Sequence, residues 1–425
     1  ANTSLVNSHN VGVGYAAGGS MTTGIKNTLV GSLAGDSMTT GHSSIGIGYE
    51  ALGAATIANH NVAIGFDSLS VNVAADRNVA IGSDALKNMT SASTVDTYNV
   101  ATGYAAGLSV TSGDQNTFLG GNAGQGLTTG SDNVAVGYAS LQTANAGNRS
   151  VAVGASALNG QNAGSAGQNM YNVAIGYNSG GSVTTGDTNA FVGALTGDAV
   201  TTGSDNAAFG YNSLGALTTG VKNVAIGALA GDALTIGSGN VAIGNHTLGA
   251  SVDGDNNTAV GHEAMKVYED GSGNGHNTAI GSLSQTTATT GEFNTSVGAL
   301  SMYGGALTGD RNTAMGYNSG SAITSGANNV VLGADAMNEL TTGGSNVVIG
   351  KGAMRQADSG ESQNVAIGYK ALEDMDSAEN NNNVAVGFEA ATNLTTGANN
   401  TALGTLAMGV GVTTGDDNIA IGKSA

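Results

Sequence analysis

Cysteine, proline and tryptophan are absent from the 425-residue chain. Without cysteine there are no disulfides, thiolate metal sites, iron–sulfur clusters or cysteine nucleophiles. Basic residues are scarce: 11 Lys and Arg stand against 30 Asp and Glu, a net charge of −19. Binding a phosphate backbone takes clustered Lys and Arg, so nucleic acid is not an expected partner. No apolar run approaches the roughly 18 residues of a membrane-spanning helix, so this segment is not expected to be membrane-embedded. Charged residues make up 10% and hydrophobic ones 40%, which is not the balance of a charge-rich disordered chain. The chain opens on Ala1 without Met or a signal-like segment, as a processed product or a fragment would.

Glycine is in excess, with 71 residues against a usual share of about 7%. Much of it falls on a repeat. The phrase Asn-Val-Ala-Ile-Gly, with conservative exchanges, starts at Asn10 and returns 23 times, the last at Asn418; sixteen of the intervals are 17 residues. Length alone would suggest two to four domains, at about 100–200 residues each. A repeat with no boundary in it makes residues 1–425 a single continuous domain instead.

The fuller unit reads N-V-A-I-G-Y-x-A-L-x-x-L-T-T-G-x-x. Val, Ile and Thr in the first segment suit a pleated backbone, and the invariant fifth Gly implies a bend or a close backbone approach. A second short segment ends in Thr-Thr-Gly, as at Thr22-Thr23-Gly24 and Thr395-Thr396-Gly397, before a corner of Asn, Asp, Gly and Ser. Two short strands and two corners in 17 residues predict one coil of an all-β, parallel β-solenoid, a β-roll of about 24 coils. Stacked at about 4.8 Å per coil, these make a rod of roughly 115 Å. No segment holds a helical period. Strand ladders leave no place for a residue lacking N–H, which explains part of the missing proline; corners tolerate it.

Alternation puts positions two and four of the phrase on one face and three and five on the other. Positions two and four are bulky and apolar: Val62 and Ile64, Val173 and Ile175, Val224 and Ile226, Val365 and Ile367. Position three is Gly, Ala or Ser except at Leu29, Phe118, Phe191, Val331 and Val348. One thin core covers one face only. With the small face inside, beside Ala17, Leu52, Met21 and Leu217, the Val/Ile stripe is left for other copies of the chain, most simply around a three-fold axis. The reverse assignment gives a monomeric solenoid.

The repeated phrase resembles the head repeats of YadA-like trimeric autotransporter adhesins. The fuller unit, as in Asn223 through Gly237, is similar to repeats of phage tail fibres and large bacterial surface proteins. The YadA resemblance implies a trimer of left-handed parallel β-rolls that serves attachment. The YadA unit is shorter than 17 residues, and no stalk, anchor or terminal chaperone segment is seen here.

Candidate chemistry is sparse. Three of the six histidines, His9, His60 and His276, directly precede the anchoring Asn, and none has ligand-like spacing to another. Corner acids (Asp36, Asp132, Asp205, Asp310, Asp416, Asp417) suit turns, and calcium between coils is the one cofactor they could serve. No nucleotide loop or catalytic triad signature occurs, so no enzyme is expected. Tyrosine recurs at position six in alternate coils, at Tyr104, Tyr138, Tyr177 and Tyr211, either as packing or as a glycan-stacking ladder. Extra residues within 90–98, 160–171, 266–276 and 373–383 should bulge from one edge.

The sequence therefore reads as an extracellular, trimeric shaft or head segment of a fibre on a bacterial surface or virion, meeting a cell-surface receptor or glycan. A self-assembling extracellular filament is the alternative. A third reading is an ice- or surface-binding solenoid built on the Thr columns.

Overall fold

The computed structural model describes residues 8–90, 93–268, 275–357, 360–376, 381–411 and 413–425. The chain is an all-β parallel β-solenoid of about 23 turns with a 17-residue spacing, and the described residues contain no helix. It forms two compact units, Ala1–Asn212 and Ser213–Ala425.

In the first unit each coil contributes one three-residue strand at positions two to four, paired in parallel with the same positions of the next coil. Val134, Ala135 and Val136 face Val151, Ala152 and Val153. Register survives the insertions: Val79 pairs with Val100, and Val151 with Val173. The second unit follows the same rule, with Val224 beside Val241 and, across an insertion, Thr258 beside Thr278. From Thr28–Val30 to Thr401–Leu403 the middle residue of each of these strands is buried and its neighbours are not. The small face therefore points inward.

The expected second strand does not form as a rule. Beyond the main ladder there are only a two-residue pairing of Ala75–Asp76 with Val95–Asp96 and three isolated bridges among the described residues. Thr-Thr-Gly is a turn instead. The N–H groups of Thr22, Thr23 and Gly24 all donate to the Thr39 carbonyl of the next coil, at 2.9–3.2 Å, and the Thr22 hydroxyl joins them at 3.1 Å. Three donors converging on one oxygen cannot lie along an extended strand, whose successive N–H groups point in opposite directions.

The remaining corners turn through left-handed residues at positions seven, nine and seventeen, as at Leu33 (φ 61°), Leu52 (φ 58°) and His60 (φ 58°). Side chains other than Gly or Asn rarely adopt this conformation. Here each corner N–H is aimed along the stack: Leu33 donates to the Tyr15 carbonyl, Leu52 to Ser68 and His60 to His42. This extends the explanation of the missing proline to these three corner positions, whose N–H groups are spent on neighbouring coils just as those of the strands are.

The fifth Gly is required twice over. Gly120 has φ 139°, and a Cβ there would lie 2.6 Å from the Gly137 carbonyl oxygen of the next coil. Core filling is shared between positions three and nine. In several coils an inward Ala is matched by Leu, as Ala135 with Leu141, and the bulky inward Leu29, Phe118 and Phe191 are each matched by Gly, at Gly35, Gly124 and Gly197; Gly also follows an inward Ala, as Gly107 does Ala101. A Cβ on Gly124 would overlap the Phe118 ring. Leu52 and Leu217 are fully buried; Ala17 and Met21, in the first described coil, are half-buried.

Candidate functional site

The anchoring Asn is an internal staple. Asn99 Nδ2 donates to the Gly113 carbonyl at 2.9 Å, closing its own coil, and Asn99 Oδ1 receives the backbone N–H of Asn116 at 3.0 Å. At Ser150 the shorter side chain leaves space that Gln161 fills: its amide reaches Ser150 Oγ at 3.0 Å and accepts from Asn172 Nδ2 at 2.9 Å. Gln161 belongs to the 160–171 insertion, so that insertion repairs the ladder. The sequence marks the Asn by its recurrence; the signal for its role is the offset of 14 residues from Asn to Gly in most coils, which becomes 15 at Asn294 and Asn400.

Outside the sheet, positions two and four form a face without a charged residue in any copy. In the first unit Val62, Ile64 and Val173 are half-buried on it and Ile175 is 41% exposed. In the second, Val224, Val365 and Ile367 are half-buried and Ile226 is 41% exposed. The parallel register places these side chains in straight columns within each unit.

Tyr104, Tyr138, Tyr177 and Tyr211 are each more than half exposed. Their coils alternate with small residues, and a Cβ on Gly121 would meet the Tyr138 ring at 3.5 Å, so that ring lies beside the bare glycine. Where aromatics occupy successive coils they stack instead: Tyr49 on Phe66 at 5.4 Å and Tyr369 on Phe388 at 5.2 Å between centroids.

Three of the corner acids serve the backbone or a neighbouring cation. Asp310 Oδ1 receives the Glu292 N–H at 2.9 Å, Asp416 Oδ1 receives that of Ala398 at 2.8 Å, and Asp132 pairs with Arg149 at 3.3 Å. Stacking brings His42 and His60 to 5.3 Å between rings, which their sequence spacing did not suggest. The described residues hold no group of three or more His, Asp and Glu able to bind a metal ion. Burial raises the carboxyl pKa of Asp198 and Asp232 above the ordinary aspartate value. Lys87 is raised by its hydrogen bonds to Asp67 and Asp84. Residues 91–92, 269–274 and 377–380 of the expected edge insertions lie outside the described residues.

No protein-family model matches the chain, and no curated protein sequence matches it.

Proposed function

We propose that the chain is a structural module, a shaft or head segment of an extracellular fibre on a bacterial surface or virion, in which identical chains join through the Val/Ile face and hold a binding region away from the parent surface. Its work is mechanical, not catalytic. The observation that carries this reading is the uncharged outer sheet face. Position four is Val, Ile, Leu, Met or Phe in every copy but Thr102, and position two is Val, Ile, Ala or Thr. An uncharged face of this kind continued on coil after coil is the kind of contiguous surface that marks an interface, since a soluble monomer usually shows only a few hundred Å² of it. Three copies around an axis would bury it while leaving the corners in water.

The test is the mass of the particle in solution. Analytical ultracentrifugation should give three chains of 41.2 kDa each. A well-behaved monomer overturns the proposal. Electron microscopy separates fibre from filament: discrete rods support the fibre, and polymers of indefinite length support the alternative.

A further inference from the structure

The chain has only 11 Lys and Arg, yet three of them, Lys351, Arg355 and Lys370, meet on two successive coils of the second unit. They line a surface hollow of about 290 Å³ together with Asp335, Tyr369 and Glu373. Among the lining residues three cations stand against two carboxylates, on a chain of net charge −19; Asp374, next to Glu373, is a further acid in the field of Lys370 and Arg355.

The cations are held in place. The Glu373 side chain is only 7% exposed; its Oε1 receives Arg355 Nε at 3.1 Å and its Oε2 receives Lys370 Nζ at 2.9 Å. One buried carboxylate therefore orients two cations and neutralises one of them. Lys351 is exposed and makes no ion pair among the described residues. Asp335 is already engaged through Oδ1, which accepts from Asn318 Nδ2 at 3.1 Å.

The hollow has a floor and a wall. Gly352 occupies the corner between Asp335 and Lys370, and a Cβ there would have one neighbour within 4 Å, Lys370 Cγ at 3.6 Å. The same corner carries Leu283, Leu300 and Asn318 on earlier coils of this unit, so a bare residue leaves room. Tyr369 stands beside it, 40% exposed and braced against Phe388 with an interplanar angle of 17°. A fixed cation pair, a free lysine and a braced aromatic ring are complementary to a ligand with an anionic group and an apolar ring face. A bare inorganic anion would make no use of the ring.

We propose that this hollow binds an acidic sugar residue of a glycan, its carboxylate on Lys351 and Arg355 and its ring against Tyr369. The inference deepens the attachment reading and rests on it for the choice of a glycan, but it does not depend on the number of chains in the particle.

Isothermal titration calorimetry of the full chain with trigalacturonate, maltotriose and sodium sulfate tests it. Saturable binding of trigalacturonate alone is expected. Lys351→Ala and Gly352→Asn should each weaken it about tenfold or more, the scale of one charge-assisted contact. Lys222→Ala, on a different part of the repeat, should not change it. Both site variants should fold, since Ala334 holds the same position as Lys351 and Asn318 the same corner as Gly352, with φ 58°. Absence of saturable binding, equal binding by the site variants, or equal binding of sulfate or maltotriose overturns the inference. A trimer that ignores trigalacturonate defeats this site alone, and a monomer that binds it defeats the trimeric fibre alone.

Discussion

The side-chain amide of Asn189 donates to the carbonyl of Gly203, 2.9 Å away and 14 residues further along the same coil. Its Oδ1 accepts the backbone N–H of Asn206 at 3.0 Å, so one buried side chain both closes a coil and fastens it to the next. Replacing Asn189 with Ala strands the Asn206 N–H and the Gly203 carbonyl away from water. A loss of about 3 kcal/mol is expected, from a lowered urea midpoint, since each unpaired buried group costs about 1–3 kcal/mol. Asn189→Ser should cost less, because Ser44 at the equivalent position receives the Asn61 N–H at 3.2 Å.

Adjacent glycines give opposite predictions. Gly120 lies at φ 139° with the Gly137 carbonyl oxygen 2.6 Å from where a Cβ would sit, so Gly120→Ala should prevent the two coils from closing. Backbone strain of this kind costs about 1–3 kcal/mol before the clash is counted. Gly121→Ala meets only the Tyr138 ring, at an ordinary 3.5 Å. Thermal melting should separate them by many degrees, with Gly121→Ala near the parent.

Much of this architecture was legible in the sequence because it rests on local rules. Val62-Ala63-Ile64 alternates with a period of two, and Gly65 recurs at every bend, so the strand, its register and the close approach could be read directly. The corners were not legible. Leu52, Leu69 and Leu86 adopt left-handed conformations against their local preference, held there by hydrogen bonds to the next coil that exist only once coils stack. Thr-Thr-Gly looked like a strand because threonine favours one, yet its three N–H groups share a single carbonyl. The cluster of Lys351, Arg355 and Lys370 was hidden for the same reason: positions six, seven and ten become neighbours only across the stack.

The matching of positions three and nine predicts a rescue. Phe118→Ala should lose about 3–5 kcal/mol, the usual cost of emptying a buried aromatic site. Adding Gly124→Leu recreates the Ala135 and Leu141 arrangement one coil away, in a corner where Leu141 already sits at φ 49°. The double variant should recover more than half of the loss. Gly124→Leu alone should be severely destabilised, because its side chain and the Phe118 ring claim the same space. A double-mutant cycle from urea titrations gives the coupling directly.

Asp232 supplies a pH test. Burial raises its carboxyl pKa, so the folded chain binds this proton more tightly than the unfolded chain does. The group therefore costs stability at neutral pH, and that cost shrinks as pH falls through the raised pKa and is gone below the unfolded value, about 3.9. Asp232→Asn should be more stable than the parent at pH 7, and the two should converge near pH 3. Asn159 holds the same position in another coil, so the variant should fold. Paired melting curves across this range check the sign; divergence at low pH would reverse it.

The outer face can be separated from the core by neighbouring residues of one strand. Ile175 is 41% exposed, whereas Ala174 beside it is fully buried. An aspartate at the outer position meets water in a lone chain but would be buried uncharged or unpaired between chains. Ile175→Asp should therefore leave the circular dichroism spectrum unchanged while reducing the particle from three chains to one in sedimentation. Ala174→Asp puts the same charge inside the coil and should abolish the fold of the surrounding coils at any particle mass. If Ile175→Asp instead melts the chain and leaves its oligomeric state intact, the stripe belongs to the coil's own stability and not to contacts between copies.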